Sequence, residues 1–268
     1  MPLPMHALKM ALLAICITLT APSAWAQAFD AVRLYGAAPG SDGGTLGVAF
    51  IAGKAYPGSA KDRNLIVPLL DYQWRNGWFA GVSNGLGYNF SIRPDQQYGL
   101  RITADLGRQA SRSIALTGMG DIDAKPEVGA FFNHTLTHEY FLTSSLRYGA
   151  GDHSKGLVID LGAGYGTGLA PNWRLGVAVA ASIANAAWMQ SYFGVSPAQA
   201  VASGYAAYRP AAGLRDARAN LALTYQLAPR ATITGALSVG TLLGDARNSP
   251  VIRKSTSATG VVVIAYAF

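Results

Sequence analysis

Four places in this chain carry residue types that could do chemistry. The run Gly81-Val82-Ser83-Asn84-Gly85 matches the G-x-S-x-G pattern, in which a strand-to-helix elbow exposes a nucleophilic serine. Here period-two segments flank Ser83 and no helix follows, so the elbow is missing. His134 and His138 form H-x-x-x-H, which on a helix would aim two rings at one metal. On extended chain, at about 3.3 Å per residue, their Cα atoms stand roughly 13 Å apart. The run G-M-G-D-I-D at 118–123 offers two carboxylates but lacks the further oxygen ligands of a calcium loop. Asp152 and His153 could orient as an acid–base pair, yet D-H-S between period-two segments reads as a solvated turn. No nucleophile, base and orienting group fall on compatible segments, so no catalytic, metal or cofactor-binding residue is assigned.

The elements that would hold such residues follow from export and composition. His6 and Lys9 supply a weakly basic start, an apolar run follows from Met10 to Leu19, and Ala24-Trp25-Ala26 is a small-x-small cleavage site. Residues 1–26 are expected to be a secretory leader. The single cysteine, Cys16, follows Ile15 rather than Gly, Ala or Ser, so no lipid attachment is expected and the mature chain has no thiol. Removing the leader, with its one lysine, leaves 242 residues with 20 basic and 14 acidic side chains, a net charge of +6. The basic residues are scattered, which argues against nucleic acid as a partner. Glycine (31 residues) and aromatics (10%) are plentiful and charges few (13%). After the leader no apolar run reaches 18 residues, so helical membrane spans are excluded, whereas a barrel is not.

The pattern is one of alternation. Over 157–168 the apolar parity carries Leu157, Ile159, Leu161, Ala163 and Tyr165, and Asp160 with four glycines fills the other. Leu221, Leu223, Tyr225 and Leu227 oppose Asn220, Ala222, Thr224 and Gln226; Leu86, Tyr88, Phe90 and Ile92 oppose Gly87, Asn89, Ser91 and Arg93. Tyr98, Leu100, Ile102 and Leu106 share a parity in the same way. Such segments of about ten residues between turn signals read as strands of a transmembrane antiparallel β-barrel. A soluble sandwich would carry frequent Lys and Glu on its outer parity; here the second parity is mostly Gly, Ala, Ser, Thr and Asn, as a narrow lumen requires. Trp74, Trp78, Tyr148, Trp173 and Tyr266 fall near strand ends, where interfacial girdles belong.

Twelve segments emerge over 45–268, at about 45–53, 63–74, 77–83, 85–92, 97–107, 126–136, 138–149, 154–168, 172–183, 213–228, 230–241 and 257–268; ten strands is the alternative. Every second connection is short, and long ones fall at 108–125, 184–212 and 242–256. That asymmetry matches short periplasmic turns and longer outer loops. Residues 27–44 are expected to form a periplasmic lead-in. In the final segment Val262, Ile264, Tyr266 and Phe268 share one face. A terminal aromatic after such alternation, carried by Tyr266 and Phe268, resembles the assembly signal of barrels in the outer membrane of diderm bacteria.

One stretch breaks the period. At 185–200, Trp188, Tyr192 and Phe193 crowd together and a helical pattern follows. Ser196 suits an N-cap, Pro197 the first helical position, and Gly204 a left-handed cap, which predicts a short helix over 197–203. A connection of roughly 29 residues with its own helix is expected to fold. The three rings are expected to pack inward as a lid, with an exposed patch for a partner or host surface as the alternative.

The run M-Q-S-Y-F-G-V-S at 189–196, with Tyr192, Phe193, Gly194 and Ser196, resembles the signature of the MipA/OmpV family of outer-membrane proteins. Y-P-G-S at 56–59, G-L-G-Y-N at 85–89, L-G-R at 106–108, G-M-G-D at 118–121, L-L-G-D-A at 242–246 and S-P-V at 249–251 are similar to family segments in the same order. Asn248 departs from the pattern, which has an acidic residue before Ser-Pro. The resemblance implies a barrel without enzymatic activity or cofactor. It further implies a scaffold in peptidoglycan metabolism, partnered by a murein lytic transglycosylase and a murein synthase. A porin-like channel or a surface adhesin is the alternative.

Overall fold

The computed structural model describes residues 40–268; the expected leader at 1–26 and residues 27–39 of the expected lead-in lie outside them. From Gly43 the chain makes twelve antiparallel strands: β1 (Gly43–Lys54), β2 (Asp62–Gln73), β3 (Trp78–Gly81), β4 (Gly85–Asn89), β5 (Gln96–Asp105), β6 (Lys125–Thr135), β7 (Tyr140–Ala150), β8 (Gly156–Ala170), β9 (Trp173–Ala184), β10 (Gly213–Ala228), β11 (Ala231–Leu242) and β12 (Thr256–Ala267). Each pairs with its sequence neighbours, and β12 pairs with β1 to close a barrel. All twelve expected segments are strands, within a few residues. Two helices, α1 (Ala186–Phe193) and α2 (Pro197–Ser203), sit in the β9–β10 connection.

Alternation along each strand places the apolar parity outside. Leu46, Val48 and Phe50 on β1, Leu221 and Leu223 on β10, and Val262 and Ile264 on β12 are exposed on the outer face. An outward apolar band of this kind is stable only against lipid. At the rim with the short turns, rings meet in pairs: Tyr72–Trp74 at 4.9 Å, Trp78–Tyr88 at 5.4 Å, Tyr140–Tyr165 at 5.1 Å and Trp173–Tyr225 at 4.7 Å between centroids. These amphipathic rings form the girdle suited to a headgroup layer. Tyr148 lies towards the other rim, near the end of β7.

The lumen departs from expectation on both sides. On β1, β2 and β12 its face is apolar: Ala49, Ile51, Val67, Leu69, Val261 and Val263 form one buried cluster, with Leu65, Val82 and Leu106 packed against it. Leu106 follows the end of β5 and turns inward, leaving the parity of Tyr98, Leu100 and Ile102. From β5 round to β10 the lumen is charged rather than sparsely polar. Arg147 donates to Glu127 at 3.3 Å and to Asp160 at 2.9 Å. Arg218 donates to Asp216 at 3.0 Å and to Ser182 at 3.2 Å, and lies 3.4 Å from Asp160. A register shift between Leu214 and Asp216 inserts Arg215, so both Arg215 and Asp216 turn inward and pair. Such a β-bulge is how a strand aims one extra side chain at the core. Isolated charges on different strands look sparse in sequence; closure brings them together.

Candidate functional site

Above the charged wall the β9–β10 connection fills the mouth at the long-loop rim. Helix α1 starts at Asn185, whose side chain accepts from the Trp188 N–H at 2.9 Å and from the Leu157 N–H of β8 at 3.0 Å. One residue thus caps the helix and fixes it to the wall. Trp188, Met189, Tyr192 and Phe193 recur at helical spacing and are all buried, none more than 5% exposed. They pack with Ile122, Ala150, Val158, Ala184, Leu242 and Ala246, residues from widely separated parts of the rim. The Trp188 and Tyr192 rings stack at 4.3 Å, and Phe193 meets Trp188 edge-on at 5.8 Å. Helix was expected only over 197–203, so α1 is an addition; Asn185 and the four-residue Trp188–Tyr192 spacing are the features that could have found it.

Polar contacts lock this apolar plug in place. The Tyr192 hydroxyl donates to Asp105 of β5, whose carboxylate also accepts from the N–H groups of Gly107 and Gly151, each at 3.2 Å. Burial first, and then the neighbouring Asp105 carboxylate, raise the Tyr192 hydroxyl above the usual tyrosine range. It stays a donor at ordinary pH. The Arg215 guanidinium lies 4.7 Å over the Trp188 ring, a cation–π contact between wall and plug. At the C-terminal end of α1 the Tyr192 carbonyl accepts from Arg108 at 2.7 Å, and the Phe193 carbonyl accepts from Ser249 at 2.6 Å. These donors satisfy carbonyls that the helix itself leaves open, and the cation suits the negative end of the helix dipole. Burial lowers the Arg108 guanidinium from its usual value. A Cβ on Gly194 would stand 2.0 Å from the Gln190 side chain, so the exit from α1 requires glycine.

Ser196 caps α2 in a full capping box. Its hydroxyl accepts from the Gln199 N–H at 3.2 Å, and the Gln199 side chain accepts from the Ser196 N–H at 2.9 Å. Pro197 occupies the first turn, and Gly204, at φ +75°, closes the helix in the left-handed region. The Gln199 amide donates to the Met119 carbonyl at 2.7 Å, tying α2 to the β5–β6 loop. Asn248 is exposed. At the opposite rim Phe268 and Gly44 exchange two backbone bonds of 3.0 Å, which continue the β12–β1 closure, while Tyr266 and the Phe268 ring face outward.

The four chemical candidates are dispersed. Ser83 sits in the β3–β4 turn and donates to Asp71. His134, on β6, contacts the Asp95 carbonyl at 3.1 Å, and His138 lies in the following turn. Asp121 accepts from the Ala110 N–H at 2.6 Å as part of a folded loop. Asp152 and His153 are exposed beside a small cleft lined also by Lys155, Gln190 and Ser191. Among the described residues no three His, Cys, Asp or Glu side chains are grouped as a metal would require.

The NanC porin and two other outer-membrane proteins of known structure have a similar outline and are distant in sequence. The NanC porin is 10% identical, with 82% of this chain and 98% of that chain covered at a TM-score of 0.44. An outer membrane channel from Pseudomonas putida F1 is 10% identical, covering 88% and 98% at 0.46. A bacterial polysaccharide outer membrane secretin is 9% identical, covering 84% and 97% at 0.47. Likeness at this level says nothing of substrate or activity. No curated protein matches the sequence. The family model described as MltA-interacting protein MipA matches residues 46–268, from within β1 to the last residue, and the chain belongs to that family.

Proposed function

We propose that this protein is a non-enzymatic barrel of the outer membrane that works as an attachment scaffold in cell-wall metabolism. The partners in this reading are a murein lytic transglycosylase and a murein synthase. The observation that carries it is the packed mouth: a helix with four buried apolar side chains, tied to the wall by Tyr192–Asp105 and by Arg215 on Trp188, occupies the place where a solute would enter. The family's description as an interacting protein supports a protein partner. In this orientation the short-turn rim, where β1 begins and β12 ends, faces the periplasm, and residues 27–44 lead into it. The turns there are short, so the partner surface is small unless residues 27–44 contribute to it. A pull-down from detergent extract with the full chain as bait should enrich murein enzymes over other periplasmic proteins. Equal recovery on an unrelated barrel would refute the scaffold.

The porin-like reading has one observation in its favour. Towards the short-turn rim part of the lumen face is small and polar, with Asn133, Thr143, Gly162 and Asn220 half-buried beside the inward rings of Phe79 and Phe131. Steady conductance of the reconstituted protein in planar bilayers would establish a channel; its absence, together with enzyme recovery, is the expected result.

A further inference from the structure

The wall of the barrel is uneven in height. β3 and β4 contribute only four and five residues, and the β2–β3 ladder covers Asp71 to Gln73. One further bond, from the Val82 N–H to the Leu70 carbonyl at 3.1 Å, extends it. Above that level no strand among the described residues pairs with this edge of β2 from Asp62 to Leu69. Backbone groups alternate in direction along a strand, so those of Pro68, Ile66 and Asn64 face the same side as the Leu70 carbonyl. Pro68 has no N–H to leave there, which is why proline is tolerated on an open edge. The hairpin tip is fixed at this height, because Asp71 accepts from both the N–H and the hydroxyl of Ser83. The outcome is a notch between β2 and β5, above Val82 and under the β5–β6 loop.

The notch is apolar below and cationic above. Leu65, Val67, Val82 and Leu106 belong to, or pack on, the apolar cluster of the lumen. Outside, Ile66 is 73% exposed and carries the lipid-facing band up to the opening. At the roof Arg63 shares the inward parity of Leu65 and Val67, and its Nη1 is buried without a hydrogen-bond partner. Arg112 stands near it on the β5–β6 loop, with Asp121 also close to Arg112. Two residues on, Ile114 is 92% exposed. Leaving a buried guanidinium N–H unsatisfied is costly, so Arg63 favours an anionic partner in the opening.

We propose that this notch is a lateral binding port for an anionic lipid of the surrounding bilayer. Its acyl chain lies against Leu65, Val82 and Leu106, and its anionic head is held by Arg63. The port does not depend on the scaffold reading, and its test involves no partner protein. The full chain is reconstituted in vesicles of phosphatidylcholine mixed with phosphatidylglycerol. A photo-reactive benzoylphenylalanine replaces Leu65 or, as the control across the lumen on β9, Ala180. Irradiation should give phosphatidylglycerol adducts from position 65 and none from position 180, in barrels that keep heat-resistant gel mobility. Arg63→Gln should lower the yield of phosphatidylglycerol adduct relative to phosphatidylcholine adduct by roughly tenfold, the scale of one charge-assisted bond. Arg63→Lys should largely restore it. No lipid adduct from position 65 in a folded barrel, an adduct to the chain's own N-terminal residues instead, or a yield unmoved by Arg63→Gln would each overturn the proposal.

Discussion

Tyr192 joins three levels of the molecule with one side chain: its ring stacks on Trp188, its hydroxyl binds Asp105 on β5, and its carbonyl receives Arg108. Tyr192→Phe keeps the ring and removes the bond. It should weaken the docking of the plug by about 1.5–3 kcal/mol, the range for a hydrogen bond to a charged group. Protease added on the long-loop side should then cut the β9–β10 connection faster. The pH dependence has a definite sign. The hydroxyl's value in the folded protein lies above its unfolded value of about 10. Its contribution is therefore complete below about pH 10 and is lost as pH rises past that point. The difference in protease protection between the two proteins should be flat through neutral pH and should shrink in strong alkali; a difference that varied between pH 5 and 8 would contradict this assignment.

The two helices of the plug were not equally legible as elements. α2 follows from local chemistry, because Ser196, Pro197, Gln199 and Gly204 satisfy the ends of a two-turn helix without outside help. Ser196→Ala should cost about 1 kcal/mol, read as faster amide exchange within 197–203 and little change elsewhere. α1 is legible only in part. Its Asn185 cap serves β8 as well as the helix, and its buried face matches a wall drawn from distant strands. Replacing Tyr192 and Phe193 together by Ala should release α1 while the barrel persists, since the wall's hydrogen bonds do not run through the loop. Heat-resistant gel mobility should survive in this variant and outside protease protection should fall. Loss of both would mean that the plug is needed to hold the wall.

Closure is a property of the whole molecule, and the last residue takes part in it. Phe268 exchanges two backbone bonds with Gly44, and its ring lies so near that a Cβ on Gly44 would sit 2.5 Å from it. Deleting Phe268 removes those bonds along with the terminal aromatic expected to be read during assembly. The yield of folded barrel in membranes should drop sharply, while Phe268→Tyr should assemble nearly as well; normal insertion of the truncated chain would refute this role. The charged half of the lumen is likewise a whole-molecule feature. Glu127, Arg147, Asp160, Arg218 and Asp216 come from four strands, and they neutralise one another only once β6 to β10 have paired side by side.

The sequence by itself determined the strands, the short and long rims, the outward band and the α2 caps, while it left the count between twelve and ten. All of these arise from period-two or near-neighbour chemistry, so the residues that decide each one lie within a few positions of it. Only the tertiary structure decided what faces what across the lumen. The apolar face of β1, β2 and β12, the paired charges from β5 to β10, the bulge at Arg215 and the α1 plug depend on residues that lie far apart along the chain. The low β3–β4 hairpin belongs with them. The alternation reads as strands at 77–83 and 85–92, longer than β3 and β4 are, and the hairpin becomes an opening only because β2 beside it continues for nine residues above Asp71.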